Sequence, residues 1–154
     1  MKTGSQKTSA ILASLLATQK LAVLSTYSAG QPYASLVAFA ASKDHDCLVF
    51  ATERDTRKFA NILEHPRVAM FVDNRDNRDS DFDTASAATI LGQARELCGR
   101  ERDESLGLFL QKHPSLESFA TASNCALIQV RVKTFVIVEK FREVTEVRLQ
   151  QSAE

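Results

Sequence analysis

The chain has 154 residues, 44% of them hydrophobic and 25% charged, which is the ordinary balance of a soluble globular domain. Lys plus Arg equals Asp plus Glu at 19 each, so no global field steers the chain to nucleic acid or to an anionic membrane surface. No apolar run approaches the ~20 residues that cross a bilayer. Cys47, Cys98 and Cys125 are odd in number and form no CxxC pair, so a zinc site or disulfide framework is not expected; a single cytoplasmic domain over residues 1–154 is.

The N-terminal "MKTGSQKTSAILASLLATQK" has the lysines and short apolar core of a weak signal peptide. Ile11, Leu12, Leu15 and Leu16 nevertheless share one helical face, with Thr8 or Ser9 as the cap, which predicts an amphipathic helix. "LAVLSTYS" (21–28) is strand-like, and "AGQP" supplies a turn through Gly30 and Pro32. "YASLVAFAAS" (33–42) is a second strand, and "KDHD" (43–46) turns into a third, "CLVFAT" (47–52). Strands linked this closely form an antiparallel meander, because parallel neighbours need a long crossover.

A helix follows over 55–65, with Phe59, Ile62 and Leu63 on its apolar face, Asp55 or Thr56 as cap and Pro66 as stop. "RVAMFVD" (67–73) is a strand, and the polar "NRDNRDSDFD" (74–83) is a solvated loop or flap. "ASAATILGQARELC" (85–98) is a long strand whose Gly92 marks a bulge or bend. A helix over 100–114 carries Leu106, Leu108, Phe109 and Leu110, and a short one runs through "SLESFATA". "CALIQVRVKTFVIVEKF" (125–141) is a last long strand, bent near Thr134. The pattern predicts a mainly β fold with short helices, six strands in a closed or partly open antiparallel barrel, and no repeat or linker.

The usual chemical motifs are missing. Five glycines build neither a dinucleotide fingerprint nor a phosphate-cradling loop. There is no GxSxG elbow. His45, His65 and His113 stand singly at turns or helix ends without metal-ligand spacing and read as solvated residues, and Asp79, Asp81 and Asp83 lack the glycine and closing glutamate of a calcium loop. What does stand out is Arg57 and Lys58 in the first turn of the 55–65 helix. Cations at the positive pole of a helix cost roughly 0.3–1 kcal/mol each, unless an anion is bound there.

Taken in order, "QPYASLVAFA", "CLVFAT", "DTRKFANILEHPRVAMFVD" and "ATILGQARE" resemble the flavin-binding split-barrel family typified by pyridoxamine 5'-phosphate oxidase, over residues 8–141. The resemblance implies a six-stranded split barrel that binds FMN. Arg57 and Lys58 would grip its 5'-phosphate, Thr52 would add a hydroxyl, and backbone atoms of Ser35, Leu36 and Val37 would lie along the flavin ring. It also implies a homodimer with flavin between subunits, and a small-molecule substrate or electron donor. The family's strand arginine is Ser35 here and its following lysine is Ala40; the chain has no Trp and no His after His113. A flavin-dependent oxidoreductase other than a true pyridoxamine phosphate oxidase is therefore the expectation, with no catalytic residue identified. A flavin- or haem-binding module without turnover and a dimeric interaction protein with a decayed phosphate site are the alternatives.

Overall fold

The computed structural model describes residues 4–150. Strands β1 (Leu21–Ser28), β2 (Gln31–Ala41), β3 (Cys47–Glu53), β4 (Arg67–Asp73), β5 (Ser86–Glu96), β6 (Cys125–Glu139) and β7 (Glu143–Arg148) form one antiparallel sheet. Helices α1 (Gly4–Thr18), α2 (Arg57–Glu64), α3 (Asp81–Thr84), α4 (Gly99–Lys112) and α5 (Glu117–Ala120) are set between and around them. The sheet runs β3-β2-β1-β4-β5-β6-β7, and β6 also pairs with β3, which closes the first six strands into a barrel.

Local chemistry sets the hairpins. Ala29 and Gly30 join β1 to β2 with φ of 49° and 75°, as a two-residue type I′ turn requires. Pro32, expected in the turn, lies instead in β2 opposite Tyr27. The closing pair Ser28–Gln31 is the hydrogen-bonded one, so the next pair is not, and the missing proline N–H falls on the outer edge where no ladder bond is lost. β2 pairs with β3 through Phe39, Ala40 and Ala41 alone. Residues 31–38 of β2 thus keep an open edge, which is the split in the barrel.

The barrel interior holds Leu24, Phe39, Leu48, Phe50, Met70, Ile90 and Ile128, all 0% exposed. A second apolar layer lies outside the barrel, where Ala40, Val49, Ala51 and Leu127 pack with Phe109 of α4. β3 and the first half of β6 are therefore buried on both faces, which is why "CLVFAT" is a continuous apolar run and does not alternate. β7 is the strand the sequence does not announce. It adds to the half of β6 that runs beyond β3, and it is exposed at every position except Val147. Backbone pairing holds it, so it leaves little hydrophobic periodicity.

Helix α1 covers the barrel with Leu12, Leu15 and Leu16. Gly4 is already helical, so Thr8 is an interior residue and no cap; its hydroxyl donates to the Gly4 carbonyl at 3.0 Å. The helix is tied down at both ends. Lys7 pairs with the nearly buried Glu139 at 3.0 Å, and Lys112 Nζ donates to the Leu16 and Gln19 carbonyls at 2.9 and 2.7 Å while lying 3.9 Å from the Phe39 ring centre. Burial pushes the Lys112 ammonium down to about 8. A cation suits these orphaned carbonyls at the C-terminal end of α1. Lys112→Met, which keeps the stem and removes the donors, should cost about 1–2 kcal/mol; for a chain of this size that is a fall of about 2–8 °C in Tm by thermal melt. An unchanged Tm would show that the clamp contributes nothing.

The polar stretch expected as a solvated loop is organised. Residues 81–84 form a helical turn, and the Asp81 carboxylate accepts the backbone N–H groups of Asp76 and Arg78. These bonds, that from Asp76 foremost, hold the Asp81 carboxyl below its ordinary range. At the barrel bend the register slips between Leu91, opposite Thr134, and Gly92, opposite Val132. Lys133 is the extra residue, so the bulge lies on β6 with Gly92 facing it.

Candidate functional site

Thr56, not Asp55, caps α2. Its Oγ1 accepts the Phe59 N–H at 3.4 Å and donates to the Glu53 carbonyl at 2.8 Å. Phe59 and Ile62 pack inward as the spacing predicts, but Leu63 is 66% exposed and Asn61 is buried in its place. Asn61 Nδ2 donates to the hydroxyl of buried Thr26 on β1 at 3.0 Å. That buried bond rotates the helix and turns Leu63 out to solvent.

The first turn of α2 sits beside the open edge of β2, and a groove of about 290 Å3 lies between them. Leu36, Val37 and Ala38 of β2 face Ala51 and Thr52 at the end of β3 across it. Thr56, Lys58, Glu53 and Phe119 of α5 form its rim. Leu36 is 65% exposed and Phe119 39%, so two apolar side chains stand in the open at the walls.

The hairpin register decides which backbone groups face this groove. With Ser28–Gln31 hydrogen-bonded, alternation gives Tyr33, Ser35 and Val37 their bonds to β1 and turns those of Ala34, Leu36 and Ala38 to the open edge. The Phe39 N–H bond to the Lys20 carbonyl continues the same alternation. Of the three β2 residues expected to line a ring, Leu36 presents its N–H and C=O, while Ser35 and Val37 spend theirs on β1. Ala34 and Ala38 are the additional edge donors, visible only once the register is known. The Ser35 hydroxyl is buried without a hydrogen-bond partner among the described residues.

Thr52 is 1% exposed, and its Oγ1 lies 3.1 Å from Thr56 Oγ1 and 3.3 Å from the Glu53 carbonyl. Its hydroxyl is therefore taken up in shaping the turn. Arg57 and Lys58 form no ion pair among the described residues, although neighbouring Arg54 pairs with Glu96. Consecutive helical residues diverge by about 100°. Lys58 accordingly lines the groove, while the Arg57 guanidinium lies over the Tyr33 ring, 5.1 Å from its centre.

A larger groove, about 700 Å3, opens on the outer face of β4, β5 and β6 beneath residues 74–85. Phe71, Ala87 and Val138 floor it, and Phe82 and Phe141 meet edge to face above at 5.5 Å. Phe141 carries a φ of 66° and is 72% exposed. An outward row Leu36–Val23–Phe71, in register across β2, β1 and β4, joins the two grooves along the sheet surface. No histidine lines either one. His65 stacks on Tyr27 at 4.4 Å, and His113, expected in solvent, is buried with Nε2 2.7 Å from the Phe39 carbonyl. Among the described residues no group of three or more His, Cys, Asp or Glu side chains could hold a metal, and no helix is long and apolar enough to cross a membrane.

Comparison with known proteins follows the same lines. A search of curated proteins finds no match. Among solved structures, a heme binding protein from Mycobacterium smegmatis superposes with a TM-score of 0.77 at 16% identity, over 87% of this chain and 55% of its own. Campylobacter jejuni ChuZ gives 0.81 at 14% identity, over 96% and 61%. An FAD-binding protein from Mesorhizobium loti gives 0.63 at 19% identity, over 81% and 89%. The chain thus spans little more than half of the first and three-fifths of the second, and at these identities the likeness concerns the fold. The split at β2–β3, the Arg-Lys pair at the start of α2 and the Gly92 bulge all lie within residues 9–139, the span matched by the sequence profile of pyridoxamine 5'-phosphate oxidase, and the chain belongs to that family.

Proposed function

We propose that the chain binds FMN in the groove between the open edge of β2 and the start of α2, and that it works as a flavin-dependent oxidoreductase. The observation that carries this reading is Arg57 and Lys58, without a carboxylate partner among the described residues, at the positive pole of a capped helix beside the open β2 edge. The residues fit the group. A phosphate dianion takes the two cations, N–H and C=O of Leu36 and Ala38 match the polar edge of a flat ring system, and exposed Leu36 and Phe119 offer it apolar walls. When bound, FMN supplies the hydride or electron transfer; the chain's own residues bind and orient it and shield it from water. Ala40 is 2% exposed beneath α4, so it offers no cation to a substrate phosphate, in keeping with a substrate other than pyridoxamine phosphate. The absence of a histidine from either groove weighs for flavin over haem.

The working species in this proposal is a homodimer. A groove of about 290 Å3 is at the low end of ligand pockets, which run to roughly 300–1,000 Å3 and bury most of their ligand. The 700 Å3 groove of a second copy would supply the opposite wall, with the Leu36–Val23–Phe71 row as the shared apolar surface. By linkage, a ligand that binds only the dimer stabilises the dimer. On dilution, flavin and subunits should come apart together, followed by flavin fluorescence and analytical ultracentrifugation on one sample. A monomer that still holds FMN at full strength would overturn the two-copy site. Steady NAD(P)H oxidation with a dye acceptor separates an enzyme from a binding module.

A further inference from the structure

We infer that Tyr33 is a positioning residue for Arg57, and that the stacked guanidinium sets how strongly the site prefers a phosphorylated ligand to its unphosphorylated counterpart. This rests on the flavin reading above. A long, exposed arginine with no carboxylate partner samples many rotamers, and binding an anion then costs the entropy of fixing one of them. Here the guanidinium already lies 5.1 Å from the centre of the Tyr33 ring. The ring is itself held: Tyr33 is half-buried and sits in the β1–β2 ladder opposite Thr26. It lies on β2 next to Ala34, where the open edge of the groove begins.

The choice of partner matters. A carboxylate would neutralise Arg57 and occupy the donors in the guanidinium plane. An aromatic face attracts the cation from above or below and leaves the in-plane N–H fork free for phosphate oxygens. Asp55 and Glu53 lie within four residues of Arg57, yet neither pairs with it among the described residues. Tyr33 therefore restrains the charge without quenching it. Lys58, one residue on, faces the groove from the other side of the helix turn. The two cations are inequivalent: Lys58 meets the ligand directly, and Arg57 meets it from a platform.

The test is the ratio of riboflavin Kd to FMN Kd, measured by fluorescence titration on the full chain and on its Tyr33→Leu, Tyr33→Phe, Arg57→Ala and Tyr33→Leu/Arg57→Ala variants. Tyr33→Leu should narrow the ratio about two- to fivefold, the strength of an exposed cation–π contact, with the riboflavin Kd unchanged. Tyr33→Phe should keep the wild-type ratio, and the double variant should fall no further than Arg57→Ala alone. An unchanged ratio in Tyr33→Leu, or equal losses for both ligands, overturns the inference while leaving the flavin site standing. A wild-type protein without preference for FMN overturns the phosphate reading itself, and the Tyr33 inference falls with it. Should Tyr33→Leu fail to fold, the side-chain NMR signals of Arg57 in the ligand-free wild type decide: ring-current-shifted resonances retained in Tyr33→Phe support the platform, and random-coil values refute it.

Discussion

Replacing Arg57 and Lys58 together by alanine is expected to weaken FMN binding by about 2–4 kcal/mol, roughly 30- to 1,000-fold in Kd, and to leave the free protein as stable as before or slightly more so. The two effects have opposite signs for one reason. In the free protein both cations sit at the positive pole of α2 without an ion-pair partner among the described residues, and removing them relieves repulsion with the helix dipole, which offsets the loss of the Arg57 contact with the Tyr33 ring. With a phosphate dianion in place the sign reverses, because charge-assisted bonds outweigh the dipole term. The helix should survive the change. Its cap, Thr56, and its buried contacts through Phe59, Asn61 and Ile62 are untouched. Calorimetric titration with FMN, set against a thermal melt of the free protein, reads both quantities. An unchanged FMN Kd removes the phosphate site; a large fall in Tm would show that the pair is structural.

Gly92→Ala is expected to be the most damaging small substitution in the barrel, by about 2–4 kcal/mol, or about 4–16 °C in Tm. A Cβ at position 92 would lie 2.4 Å from the Arg131 carbonyl oxygen and 2.8 Å from Val130 Cγ1. Both belong to β6, just before the extra residue Lys133, so the contact is relieved only by moving the backbone of the strand that closes the barrel. Gly107, exposed in the middle of α4 where a Cβ would meet none of the described residues outside its own helix within 4 Å, is the control. Gly107→Ala should stabilise by about 0.5–1 kcal/mol, through lower chain entropy in the unfolded state and better helix propensity. If both substitutions shift Tm alike, steric crowding at the bulge is not what selects glycine there.

The local features were legible because each is decided by neighbours in the chain. The spacing of Leu12, Leu15 and Leu16 gave α1, and the close links of β1, β2 and β3 required antiparallel pairing. Gly92 marked the bend, and Pro66 marked the end of α2. The misses have a common cause. Leu63 has a good apolar spacing, but a buried hydrogen bond between Asn61 and Thr26, 35 residues apart, turned the helix another way. β7 is held by pairing to β6 with almost no burial, so it left no period to find. His113 looked like a solvated helix end until the chain brought the Phe39 carbonyl to its ring.

The candidate site divides in the same way. The sequence by itself determined that a capped helix starts with two adjacent cations after an apolar strand, because capping, dipole and charge are properties of a few consecutive residues. Tertiary structure alone decided what those cations face. The register of the β1–β2 hairpin chose Ala34, Leu36 and Ala38 over Ser35 and Val37 as the edge that offers backbone bonds, a shift of one residue that exchanges every donor. The early parting of β2 from β3 after Phe39–Ala41 opened the groove, and α5 brought Phe119 to its rim from 67 residues beyond Thr52. The direction in which each side chain leaves the first turn of α2 then put Lys58 in that groove and Arg57 on Tyr33. Such contacts join residues far apart in the chain, and no local spacing encodes which of them will meet.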